Sequence, residues 1–184
     1  MATATTTTTI PIALASEAEL VARLAQTAGV AVLEVYSEHW GPCKSILAAL
    51  KKLQSENSDN SAPLSFFAVP AERVRCSNGS NGPAQQVLAQ IAARARKSEP
   101  FFLVFRGGLL KATLTGVDVP RLVGAIEGAV AAGGAVVSGG GKGVGGGGHE
   151  AGAGEDDGDK DEQQEQGSSS AAVVANPFKA LVAV

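Results

Sequence analysis

Val30-Ala31-Val32-Leu33-Glu34-Val35-Tyr36, then Ser37-Glu38, then His39-Trp40-Gly41-Pro42-Cys43-Lys44, is the stretch from which the rest of the chain can be read. The first seven residues are an apolar run broken only by Glu34, which predicts a central β-strand covered on both faces. Beyond the loop, Cys43, Ile46, Leu47, Leu50 and Leu53 recur at helical spacing. A helix is therefore predicted from Pro42, because proline in a first turn costs no hydrogen bond. A polar loop with one tryptophan and one cysteine thus joins a buried strand to an amphipathic helix.

Working outward, Thr9 to Leu14 reads as a short strand, placed at a sheet edge by Pro11. Ser16 and Glu19 have capping-box spacing for a helix that Gly29 ends. Leu64 to Val69 is the next strand, and Gln85 to Arg96 the next helix, entered through Asn81-Gly82-Pro83. Phe101 to Phe105 and Leu109 to Thr115 form a hairpin about Arg106-Gly107-Gly108, and Asp118 caps a last helix from Val119 to about Ala131. Strands alternating with helices and closing with a hairpin and a helix predict a three-layer α/β domain with a mixed sheet over residues 9–132.

Outside that domain the composition changes. Of the 23 glycines, 14 fall between Gly133 and Gly167, and the acidic run Glu155 to Glu162 follows Gly145 to Gly148. Up to Gly147 there are 13 Lys/Arg against 10 Asp/Glu, and beyond it 2 against 8, so the net charge of −3 averages two unlike parts. Residues 1–8 read as a flexible N-terminus and 133–170 as a disordered, solvated Gly-rich and acidic linker. Residues 171–184, with Asn176-Pro177-Phe178-Lys179 and Ala180 to Val184, are too apolar for a pure solubility tail and read as a docking element for a partner. No run approaches the ~20 apolar residues of a membrane span, so no membrane insertion is expected. An acidic chain without a basic stripe gives no support to nucleic-acid binding. Two cysteines exclude a disulfide scaffold, and two histidines leave few zinc ligands, so neither a metal nor a cofactor is expected. The Thr-rich start lacks the h-region of a secretory signal; its composition leaves a chloroplast transit peptide as an alternative.

The order of elements, with His39 to Lys44 between strand and helix, resembles the thioredoxin family. Glu34 inside the preceding strand, Pro100 opening a late strand, and the Gly107-Gly108 turn are further parts of the likeness, which covers Thr9 to Ala131. Leu33 to Glu38, Ser65 to Glu72 and Ser98 to Phe105, including Glu99 before the proline, look like one branch: the thioredoxin-like light chains of outer-arm dynein and related ciliary modules. The resemblance implies a thioredoxin-like fold in which Glu34 matches the buried proton acceptor. It also implies that Pro100 follows a cis peptide and presents the backbone before it to an extended partner chain.

The loop departs from the family where the chemistry matters. Active members carry two cysteines flanking the Gly-Pro pair, and aligned on Gly41-Pro42-Cys43-Lys44 the attacking cysteine's position holds Trp40. Disulfide exchange needs an exposed thiolate and a second thiol to release the mixed disulfide. Cys43 alone lies one turn deeper, on the apolar face of the expected helix. The reading is therefore a catalytically degenerate subunit, not an enzyme, with Cys43 and Glu34 vestigial. Glu34 is expected to be a buried carboxyl with a raised pKa, satisfied by water or by Lys44 or Lys52. Partner contacts fall to His39, Trp40, Gly41, Pro42, Glu99 and Pro100, an exposed aromatic beside free backbone groups. Cys76, in a basic and polar loop, is a surface thiol or, with Cys43, a redox-sensing one. What the resemblance implies is a structural light chain bound to a larger protein, a dynein heavy chain or other axonemal subunit. It would lie in the cytoplasm, at the axoneme of a cilium or flagellum. The alternative is a monothiol redox protein using Cys43 for mixed-disulfide chemistry.

Overall fold

A computed structural model describes residues 10–57, 63–75, 82–132 and 175–182. Cys76, the 1–8 segment and the 133–170 linker lie outside the described residues.

Five strands form one sheet: β1 (Ile12–Ala13), β2 (Val30–Tyr36), β3 (Leu64–Pro70), β4 (Phe101–Arg106) and β5 (Leu109–Thr115), in the order β1-β3-β2-β4-β5. β1 and β2 run parallel to β3, whereas β4 is antiparallel to both β2 and β5. This is the mixed sheet of a thioredoxin-like fold. β1 shrinks to two residues at the sheet edge, shorter than the Thr9–Leu14 strand expected, but Leu14 extends its pairing through an N–H bond to the Ala68 carbonyl at 2.8 Å.

The alternation of β2 sorts the helices into two layers. Ala31, Leu33 and Val35 face α1 (Glu17–Gln26) and α3 (Pro83–Ala92), together with Phe67, Leu103 and Phe105. Val30 and Val32 face α2 (Leu47–Glu56) and α4 (Val119–Ala131), together with Phe66, Phe102 and Val104. Glu34 shares the second face. The N-caps read from the sequence are present. Ser16 Oγ accepts the Glu19 N–H at 3.2 Å, Glu19 Oε2 accepts the Ala15 N–H at 2.9 Å, and Asp118 accepts the Arg121 N–H at 3.0 Å. The β4–β5 turn rests on Gly107 and Gly108, both at positive φ (55° and 80°), the conformation a two-residue hairpin loop requires.

Of the C-terminal segment read as a docking element, residues 175–182 are described, and part of them packs on the chain's own domain. Phe178 is fully buried in the α1/α3 layer, edge-on to Phe105 with centroids 5.9 Å apart. Asn176 donates from Nδ2 to the Leu24 carbonyl at 2.9 Å, and its Oδ1 accepts the Phe178 N–H at 2.9 Å. A single turn, α5 (Lys179–Val182), follows. The aromatic ring finds an apolar socket on its own domain, which takes that one ring out of water, while Val182 stays half exposed.

Candidate functional site

After β2 the chain turns at Ser37, whose carbonyl accepts the N–H groups of Trp40 and Gly41, both at 3.0 Å. Gly41 sits at φ +72° with open space around its Cα, so its requirement is conformational rather than steric. The turn leaves Trp40 62% exposed, its ring T-shaped against His39 at 5.0 Å.

The helix expected from Pro42 begins only at Leu47. The Cys43 N–H is captured by the Glu34 carboxylate, an i→i+3 turn joins Leu47 N–H to the Lys44 carbonyl at 3.3 Å, and Ile46 at the N-cap offers no side-chain acceptor. Cys43 therefore lies in the loop, half-buried against the α2/α4 layer. Its Sγ is 3.1 Å from Ser45 Oγ.

Glu34 is 2% exposed, paired in register with Ala68 and Phe102. Burial pushes its pKa up to about 7, and the N–H bond from Cys43 works against that rise. Neither lysine expected to neutralise it does so: Lys52 pairs with Glu56 at 3.7 Å, and Lys44 is exposed. The reason is geometric, since α2 starts late and both ammonium groups remain where water solvates them. Glu34 Oε2 has no hydrogen-bond partner among the described residues.

Trp40, Gly41, Pro42 and Cys43 form one wall of a groove of about 190 Å³, and Glu99 and Pro100 belong to the other. With Glu38, Glu72 and Arg96, His39 lines the adjoining cavity, which shares Ser37 and Trp40 with the groove. The peptide before Pro100 is trans; among the described residues the cis peptide is Ile10–Pro11. An X–Pro bond leans trans by about 0.5–1 kcal/mol unless its surroundings select cis. Pro100 is positioned through its carbonyl, which accepts the Gly116 N–H at 2.9 Å, and this link brings Val117, 48% exposed, into the groove. Val117, Tyr36 and Lys97 were missed from sequence; an apolar residue stranded between the end of β5 and the Asp118 cap was the available signal for Val117.

Glu72 was also missed. It accepts the Ser37 hydroxyl at 2.6 Å, the Glu38 N–H at 3.0 Å and the Arg96 N–H at 3.0 Å, tying the Trp40 loop to the segment that leads into β4. Partial desolvation would raise its pKa, but these three donors outweigh it and hold the carboxyl down at about 2. Arg73 braces the same loop from outside, its Nε 2.5 Å from Glu38 Oε1. The arrangement is a two-walled groove with an exposed indole and one half-buried thiol. Among the described residues no cluster of three His, Cys, Asp or Glu could hold a metal, and no helix is long and apolar enough to cross a membrane.

No protein-family model matches the chain. Among solved structures, a Plasmodium falciparum thioredoxin is 19% identical and covers 64% of this chain and 97% of its own, with a TM-score of 0.44. Thioredoxin O2 of Arabidopsis thaliana is 24% identical with the same TM-score, covering 65% and 93%. The 16 kDa light chain of the flagellar outer-arm dynein of Chlamydomonas reinhardtii is 36% identical over 107 residues, 58% of this chain and 60% of that protein. The 14 kDa light chain of the same arm is 30% identical over 110 residues, 59% of this chain and 73% of that protein. The chain thus spans about three fifths of the first relative and nearly three quarters of the second, and with its thioredoxin-like fold it belongs to the family of flagellar outer-arm dynein light chains.

Proposed function

We propose that this chain is a catalytically silent, thioredoxin-like light chain of an axonemal outer-arm dynein complex. It holds a larger subunit, a dynein heavy chain or another axonemal protein, through the groove of Trp40, Pro42, Glu99 and Pro100. The observation that carries this reading is Trp40 itself: a large aromatic, 62% exposed, at the position where disulfide exchange would need a thiol. A second thiol is required to release a mixed disulfide, and within the groove Cys43 has none beside it. Exposed indoles over a preformed groove are the side chains that anchor protein interfaces. Its two flagellar relatives favour the axoneme over the plastid as its location.

The test is co-sedimentation with axonemes. Tagged wild-type chain should pellet with outer-arm dynein, and Trp40→Ala should shift into the supernatant with its circular dichroism unchanged. Trp40→Ala that pellets as well as wild type would overturn the groove as the contact. Wild-type chain absent from the axoneme would overturn the setting.

A further inference from the structure

Both walls of the Trp40 groove meet on one carboxylate. Glu72 follows β3 in the single 3₁₀ turn Ala71–Arg73. Its Oε1 accepts the Ser37 hydroxyl at 2.6 Å and the Arg96 N–H at 3.0 Å, and its Oε2 accepts the Glu38 N–H at 3.0 Å. Ser37 is buried, and its carbonyl in turn accepts the N–H groups of Trp40 and Gly41. One oxygen atom therefore holds the base of the turn that carries Trp40 and, on the other side, the residue that leads into Lys97, Ser98, Glu99 and Pro100.

That second wall has few other supports. The Pro100 carbonyl accepts the Gly116 N–H, and the Lys97 N–H donates to the Arg94 carbonyl at 3.0 Å. Ser98 and Glu99, between them, make no hydrogen bond among the described residues. A span of four residues held at its ends takes its place from those ends. Arg96 sets the first of them. Its φ is +63°, and among the described residues it is the non-glycine residue at positive φ. A Cβ makes that left-handed region unfavourable, and a residue persists there when its surroundings over-determine it. Two contacts do so here. Arg94 lies over the Phe101 ring at 4.2 Å and donates from Nη2 to Thr115 Oγ1 at 2.6 Å, which pins the turn after α3 to the sheet. From the other side Glu72 Oε1 takes the Arg96 N–H.

We propose that Glu72 is the positioning residue of the groove: its carboxylate keeps Arg96 left-handed and so sets where Lys97, Ser98, Glu99 and Pro100 stand opposite Trp40. The inference rests on the reading of that groove as the partner's seat. Without the carboxylate, Arg96 relaxes toward negative φ, the wall leaves its place, and the arrangement that fits the partner becomes a minor one. Apparent affinity then falls in proportion to the fraction that remains competent. Glu72 acts through the wall and the turn, not by touching the partner.

Titration of the full-length chain onto axonemes, read by co-sedimentation, tests this. Glu72→Ala, with native circular dichroism, should raise the half-saturating concentration about 10-fold. Glu72→Gln keeps an oxygen for Ser37 and Arg96 and should stay within about 3-fold of wild type. Arg96 supplies an independent arm. Arg96→Gly adopts the left-handed region freely and should bind as wild type, whereas Arg96→Val, a β-branched residue strained there, should bind about 10-fold more weakly. Both variants lose the guanidinium, so the difference between them reports the backbone alone. The double variant Glu72→Ala/Arg96→Gly should recover most of the loss. Glu72→Gln as weak as Glu72→Ala would mean that the partner reads the charge itself, and Arg96→Gly as weak as Arg96→Val that it reads the guanidinium; either result overturns the positioning role. Equal, wild-type binding by Arg96→Gly and Arg96→Val does so too. Glu72→Ala that binds as wild type while Trp40→Ala is released sinks this inference and leaves the groove as the contact, whereas Trp40→Ala that binds as wild type removes both. Should Glu72→Ala fail to fold, the two Arg96 variants decide the question without it.

Discussion

Glu34 offers the sharpest quantitative test. Its carboxyl is 2% exposed, and its pKa rises from the ordinary 4.5 to about 7 through desolvation, opposed by the Cys43 N–H. The native state therefore binds this proton more tightly than the unfolded chain. Below pH 4.5 both states hold it and stability is complete; between pH 4.5 and 7 the unfolded state gives it up first, and stability falls as pH rises. A shift of this size at about 1.4 kcal/mol per unit corresponds to roughly 3 kcal/mol lost by pH 8. Glu34→Gln keeps an acceptor for the Cys43 N–H and removes the titration. Urea unfolding of both proteins, followed by far-ultraviolet circular dichroism from pH 4 to 8, should give a wild-type minus variant difference that drops by about 3 kcal/mol across that window. Glu72 does not confuse the result. Its pKa is depressed to about 2, so its contribution is present above 4.5 and is lost only as pH falls toward 2. It is common to both proteins and cancels. Parallel curves from pH 4 to 8 would refute the account of Glu34 as a desolvated, unneutralised carboxyl.

Trp40→Cys restores a Cys-Gly-Pro-Cys loop and should raise insulin reduction above the wild-type background; a revertant no faster than wild type would show that the late start of α2 silences the site as well. Glu72→Gln keeps one acceptor oxygen and turns the other into an amide facing a donor, so it should cost about 1 kcal/mol, whereas Glu72→Ala removes both oxygens and should speed amide exchange at Glu38 and Arg96; unchanged exchange in Glu72→Ala would exclude Glu72 as the tie between the loops. Gly108→Ala adds a Cβ 2.0 Å from Asn176 Cγ at φ +80° and should expel the C-terminal turn, making residues 175–182 protease-sensitive, whereas Gly107→Ala, with open space around it, should leave them protected.

The sheet and its helices were legible because local signals agreed with the tertiary outcome. β2 spans Val30–Tyr36 as read, since seven apolar-biased residues buried on both faces leave no other assignment. α4 spans Val119–Ala131 as read, since Asp118 caps it and Pro120 sits in its first turn. The site was legible only in part. Pro42 has the look of a first helical residue, but the competing acceptor for the Cys43 N–H is nine residues back in β2, and no helical periodicity encodes that. Phe178 meets Phe105 across 73 positions, and Asn176 meets Leu24 across 152. Contacts at such separations leave no pattern in a single chain, so an apolar terminus reads as a ligand for something else. Glu72 stood in a quoted segment without a role, because its three donors come from two distant loops.

The Trp40 groove and the Asn176–Gly108 contact lie at opposite ends of β2. Gly107 N–H donates to the Gly29 carbonyl at 2.9 Å, which places the hairpin and the Asn176 contact at the start of β2, whereas Ser37 and the Trp40 turn follow its end. Seven residues at about 3.3 Å each separate the two by roughly 20 Å. That exceeds the 7–10 Å within which substitutions couple strongly, and no mobile element is needed to connect them. Substitutions at the two places should therefore act independently. Phe178→Ala should lower stability while leaving axonemal co-sedimentation through Trp40 unchanged. Trp40→Ala should do the reverse, since an indole resting on His39 contributes little to the core. The double variant should show the sum of the two effects in each assay. A Phe178→Ala chain that is folded yet released from the axoneme would mean that the two ends of the sheet communicate, and the independence of groove and C-terminal contact would have to be abandoned.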